Sequence, residues 1–279
     1  MSDDQNPFAP SSTLEASAAA PERVDQLAPV PMDVGDILTR CWEVLTANLG
    51  VVLLATGALI APGLVFGMSG FALDLAGEVG GEGMEVIMAL LSLANTIVQQ
   101  VVTLFLTLGA VRIFIHVTRG QEAEASMVVS EGRSFLPALL VQLIIGLALL
   151  ASISPGMGAM AGLAVGGLDF EVATGILFLN LAIVFVPWLV AGLGLQFAQY
   201  AIVDLGLGPI EALRESWRLT NGYKVTILFI NLLASLFALL VTCVTFGMGY
   251  LVLLPMLLLM QGVMYHSLTH HQALASGLD

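Results

Sequence analysis

From Val225 to Leu268 the chain carries no Asp, Glu, Lys or Arg. A stretch of that length exceeds the ~20 apolar residues that one helix needs to cross a bilayer. It must therefore turn back on itself, and Phe246-Gly247-Met248-Gly249 is the only segment within it with strong turn chemistry. The stretch reads as two apolar helices joined by a tight turn. Four further runs have the same character: Leu49 to Gly70, Val86 to Val111, Phe135 to Ile153 and Val172 to Val203. Lipid is the natural solvent for such helices, because 58% of the chain is hydrophobic and only 10% is charged. A soluble domain carries about 25% charged residues.

The expected fold is all-α, a polytopic transmembrane helix bundle of six spans over residues 31–271. Residues 1–30 are rich in Asp, Glu, Ser, Ala and Pro, with few large apolar residues, and are expected to form a disordered cytoplasmic tail. Residues 272–279 are expected to form a short cytoplasmic C-terminal tail. The eight basic residues are Arg23, Arg40, Arg112, Arg119, Arg133, Arg214, Arg218 and Lys224. With six spans, all of them fall on one side, as the positive-inside rule requires. Asp74, Glu78, Glu82, Glu85, Asp169 and Glu171 fall on the other. Both termini are thereby expected on the cytoplasmic face of a bacterial inner membrane. Cys41 and Cys243 would lie on opposite sides, too far apart to pair. Ser154 to Leu168, apolar but Gly-rich, suits an outer, partly surface-lying loop better than a re-entrant piece.

The pattern suggests one unit used three times: an amphipathic cytoplasmic helix followed by a transmembrane hairpin. In DVGDILTRCWEVLTANLG, Val34, Ile37, Leu38, Cys41, Trp42 and Leu45 recur at helical spacing, with Asp33 as N-cap. In GPIEALRESWRLTNGYK, Ile210, Leu213 and Trp217 form the apolar stripe. Trp42 and Trp217 are candidate interfacial anchors, since an indole suits the headgroup layer. The middle copy, SMVVSEGRSFLPALLVQLI, lacks a Trp. Gln196 and Tyr200 in the fourth span echo Gln261 and Tyr265 in the sixth, each pair one turn apart on a helix face. The second span offers Gln99 and Gln100 instead. These six are the candidate intrabundle polar residues, and Asn95, Gln142, Asn180, Gln199 and Asn231 accompany them. Two roles fit: hydrogen bonds between helices, or the lining of a polar cavity.

Two segments, ILTRCWEVLTANLGVVLLA and IVDLGLGPIEALRESWRLTNGYKVTILF, resemble the membrane domain associated with some bacterial glycerophosphodiester phosphodiesterases and related stand-alone six-helix membrane proteins. The likeness covers residues 33–270. It implies a six-helix membrane fold. The phosphodiesterase chemistry of that group belongs to a separate soluble barrel, which is not expected in a chain ending at Asp279, so no catalytic residue carries over.

No span interior holds a charge, which argues against proton-coupled or voltage-driven transport. There is no G-x-S-x-G, H-E-x-x-H or Walker-type loop. His266 and His270 lie one turn apart, with His271 adjacent and His116 on the same side. They fit polar residues at a helix end better than a zinc site, which needs three or four good ligands. No cofactor or metal is called for. The net charge of −13 argues against a nucleic-acid partner. The expected partners are membrane lipid and another membrane protein or a second copy of the chain. The expected role is non-enzymatic, organising lipid or a membrane partner; the alternative is a transporter or channel for an uncharged or lipidic substrate.

Overall fold

The computed structural model describes residues 31–80 and 84–276. The segment expected to be a tail over 1–30, and Glu82, lie outside these residues. Nine α-helices follow in order: α1 Val34–Ala47, α2 Leu49–Gly80, α3 Glu85–Thr118, α4 Gly132–Ala164, α5 Phe170–Leu195, α6 Ala198–Leu205, α7 Pro209–Thr220, α8 Lys224–Val244 and α9 Met248–Ser276. A short 3-10 turn, Ala125–Val129, precedes α4, and the described residues contain no strand. Five helical stretches are long and apolar enough to cross a membrane: Leu49–Glu78, Glu85–Thr118, Gly132–Ala164, Phe170–Leu205 and Lys224–Val244.

The helix ends follow local chemistry. The Asp33 carboxylate accepts the Gly35 N–H at 3.0 Å and caps α1. Pro209 opens α7, and the Gly208 N–H donates to Glu211 Oε2 at 3.3 Å. The turn between α8 and α9 sits where expected. Gly247 takes φ +92°, its N–H donates to Thr242 O at 2.8 Å, and the Gly249 N–H donates to Thr245 Oγ1 at 2.7 Å.

Three expectations need correction. The Gly-rich segment from Ser154 is no loop: α4 runs on to Ala164. Its glycines serve close packing in part. A Cβ at Gly156 would lie 2.9 Å from Leu177 Cδ1, so α5 approaches closely there. Gly63 and Gly67 face open space and bring no helix near. The long fourth span is broken at Gln196-Phe197, between α5 and α6. There the Ser216 hydroxyl of α7 donates to Gly194 O at 2.8 Å and accepts the Phe197 N–H at 3.2 Å. A side chain inserted into the i to i−4 ladder interrupts a helix at that point. At the chain's other end, α9 continues through residues 272–276.

The core sits at one end of the bundle. It takes the last third of α3, most of α6, Leu259–Leu268 of α9, and one face each of α1 and α7. Toward the far end the helices expose large apolar side chains, among them Leu64, Met68, Phe71, Phe178, Leu179 and Ile183.

Candidate functional site

Three helices bring one polar side chain each to the core end. Arg119 caps the C-terminus of α3, Asp204 lies in the last turn of α6, and Tyr265 is buried on α9. Both guanidinium nitrogens of Arg119 donate to the Asp204 carboxylate at 2.7 Å, and the Tyr265 hydroxyl donates to Asp204 Oδ2 at 3.0 Å. The carboxylate is 11% exposed and receives three donors, so its burial is compensated by bidentate, charge-assisted bonding. Its hydrogen bonds to the Asp204 carboxylate hold the Arg119 guanidinium above its ordinary pKa. A second pair stands beside it: Arg112 donates to the buried Glu131, and the Ser134 hydroxyl donates to the same carboxylate at 2.8 Å. Arg112, His116, Arg119 and Asp204 line a small polar cleft of about 190 Å³.

Of the six expected intrabundle residues, four come together. Tyr200 and Tyr265 pack with ring centroids 5.3 Å apart, and Phe197 stands 6.0 Å from each. On the next turn outward, Asn231 Nδ2 donates to Gln196 Oε1 at 3.3 Å, and Gln261 Nε2 donates to Asn231 Oδ1 at 3.1 Å. The two echoed Gln–Tyr pairs thus face each other, joined by an Asn on α8. Gln99 and Gln100 stand apart from this cluster. Gln99 is half-buried, and Gln100 is exposed on the flank of α3.

Trp42 is 60% exposed and Trp217 42% exposed. The core takes a different face of each short helix from the one the Trp occupies. Helix α1 buries Ile37, Cys41, Val44 and Leu45, and α7 buries Ala212, Ser216, Leu219 and Thr220. Ile210 and Trp217 point away from the core, while the Trp217 ring lies on Gly194, with Lys224 Nζ 3.4 Å from its centroid. Sequence periodicity found the large apolar stripe of α7. It missed the small-residue face, which carries no hydropathy signal.

Two asparagines tie hairpins together. Asn95 Nδ2 donates to Phe66 O at 2.9 Å, and Asn180 Nδ2 donates to Ser152 O at 3.2 Å. Among the described residues no three His, Cys, Asp or Glu side chains converge as metal ligands would. Cys41 is buried, Cys243 is exposed, and both are free.

No curated protein and no solved structure matches the chain. A family described as a domain of unknown function, DUF7847, matches residues 32–276. The chain belongs to the DUF7847 family.

Proposed function

We propose that this is a non-enzymatic, six-span protein of a bacterial inner membrane that organises lipid around a rigid base, with α9 as the sixth span and both termini cytoplasmic. The observation that carries the reading is the contrast between the two ends of the bundle. At the core end, charged and aromatic groups from α3, α6 and α9 satisfy one another around Asp204. Elsewhere the arms present Leu, Phe, Met and Val outward, surfaces that water would penalise and hydrocarbon would not. Placing the base on the cytoplasmic side puts the seven Lys and Arg among the described residues there. Ile210, Trp42 and Trp217, exposed near that base, then seat α1 and α7 against the headgroup layer.

Correspondences between the first two hairpin units support the same reading. Arg119 and Asp204 are 85 residues apart, and the same interval separates Asn95 from Asn180 and Gly109 from Gly194. At each of those two glycines the segment after the hairpin leans in: Val128 on Gly109, Trp217 on Gly194. Kinship with the membrane domains associated with glycerophosphodiester phosphodiesterases is part of this proposal, and it brings no activity with it.

The test is purification of the full chain in polymer-bounded native membrane discs, followed by mass spectrometry of the retained lipid. A lipid profile enriched relative to bulk membrane, and returned to bulk by Trp42→Glu with Trp217→Glu, supports the role. A profile equal to bulk for the unaltered protein refutes it.

A further inference from the structure

We propose that the cleft between α3 and α4, floored by α6, is a binding site for the head of an uncharged, hydroxyl-bearing membrane lipid of the diacylglycerol class. The site rests on the lipid reading above and assigns that reading a ligand.

Three glutamines converge on this cleft: Gln100 from α3, Gln142 from α4 and Gln199 from α6. The cleft encloses about 310 Å³. Among the described residues none of the three side-chain amides forms a hydrogen bond, unlike Gln196 and Gln261, which are held through Asn231. Thr96, Thr103 and Thr107 share the wall. The hydroxyls of Thr96 and Thr107 spend their protons on their own helix, on Ser92 O at 2.9 Å and Thr103 O at 2.7 Å, and keep lone pairs free to accept.

Gln142 lies ten residues beyond the start of α4 at Gly132, about 15 Å along the helix. On the lipid reading, hydrocarbon rather than water faces an amide at that depth and leaves it without a partner. Three unpaired amides on one concavity suit a ligand that both donates and accepts. No Asp, Glu, Lys or Arg lines the cleft, so nothing there compensates a phosphate or an ammonium. The remaining walls are apolar, including Ile97, Val101, Leu104 and Leu139, and Gln100 and Gln142 are both exposed on the flank of the bundle. A hydroxyl-bearing head can enter from the bilayer while its chains stay in it. The flat flank of a second copy would reach Gln100 and Gln142 but not Gln199 at the floor.

The test uses the full chain in phosphatidylcholine nanodiscs containing a trace of photoactivatable diacylglycerol, with cross-linked peptides mapped by mass spectrometry. Labelling is expected on the α3 and α4 segments around Gln100 and Gln142. It should fall roughly tenfold in the triple variant Gln100→Leu, Gln142→Leu, Gln199→Leu, equivalent to the ~1.4 kcal/mol that two or three intramembrane hydrogen bonds supply. The single variants Gln100→Leu and Gln142→Leu, at exposed positions, should each lower it part-way with an unchanged melting temperature. Photoactivatable phosphatidylcholine should label all forms equally, which keeps the lipid-embedded reading separate from the site. Undiminished diacylglycerol labelling in the triple variant overturns the site, as does equal competition by phosphatidic acid. A dimer of the chain in the same nanodiscs, counted by native mass spectrometry and dispersed by Gln100→Leu, would overturn it in favour of a second copy.

Discussion

Arg119 and Asp204 face each other across the core end of the bundle through two parallel 2.7 Å hydrogen bonds, from positions 85 residues apart. Arg119 ends the long α3, Asp204 lies in the last turn of the short α6, and Tyr265 brings α9 to the same carboxylate. Removing one partner strands the other charge in a site that excludes most water. Arg119→Ala or Asp204→Ala should each cost about 3 kcal/mol, at the low end for a buried pair because the Arg119 side chain is still 29% exposed. The double alanine variant should cost less than the sum by about 1–3 kcal/mol. Tyr265→Phe should cost about 1 kcal/mol. Denaturation of the unaltered protein, the two single alanine variants and the double in one detergent gives the double-mutant cycle, and strict additivity would mean that the pair is not coupled.

Backbone contact at a glycine leaves no slack. A Cβ at Gly109 would lie 1.9 Å from Val128 O, a backbone atom, whereas a Cβ at Gly57 meets nothing within 4 Å. Gly109→Ala should therefore destabilise by more than the ~1–3 kcal/mol typical of overpacking. Gly57→Ala should be neutral or stabilising by up to about 1 kcal/mol, since alanine suits a helix interior better. Opposite shifts in melting temperature check this, and equal shifts would contradict the packing of the 3-10 turn on α3.

Asn95 does more for its hairpin than Asn180. It donates to Phe66 O and accepts from the Ser69 hydroxyl at 2.7 Å, while Asn180 has its one bond to Ser152 O. Asn180→Ala should cost about 0.6 kcal/mol and Asn95→Ala up to ~1.7 kcal/mol. The reverse order in thermal unfolding would contradict the geometry.

Burial pushes the Cys41 thiol up to about 12. The thiolate is the nucleophile, and at pH 8 a thiol with that pKa is ionised to about one part in ten thousand. Cys41 in the folded protein should resist alkylation at pH 8 and react once the protein is unfolded. Mass spectrometry after iodoacetamide treatment reads this directly, and prompt modification of Cys41 in the native state would show that α1 is not docked as described.

Helix class and the turn at Gly247 were legible from the sequence, because a charge-free run longer than a bilayer leaves little else to choose. Repetition singled out the pairs Gln196–Tyr200 and Gln261–Tyr265, but their meeting across Asn231 is tertiary and no spacing records it. The Arg119–Asp204 pair was not legible. Both residues sit at helix ends, where charges are ordinary, and their meeting is a tertiary event that no local spacing records. The break at Gln196-Phe197 was hidden for a similar reason: the group that makes it is Ser216, on another helix. The end of α4 was misread because its glycines resemble a loop until a neighbouring helix is there to use them.

The central claim is that lipid surrounds these arms, with the Arg-bearing turns on one face and the hairpin tips, which carry no Lys or Arg, on the other. It is tested most directly by single-cysteine labelling in sealed inner-membrane vesicles, in a Cys243→Ser background where Cys41 is the buried remaining thiol. Cysteines placed at Glu124 and Asn221 should react with an impermeant maleimide from the cytoplasmic face only. Those at Asp169 and at Phe246, which is 98% exposed, should react from the opposite face only. Labelling of all four positions from the same face would contradict the account.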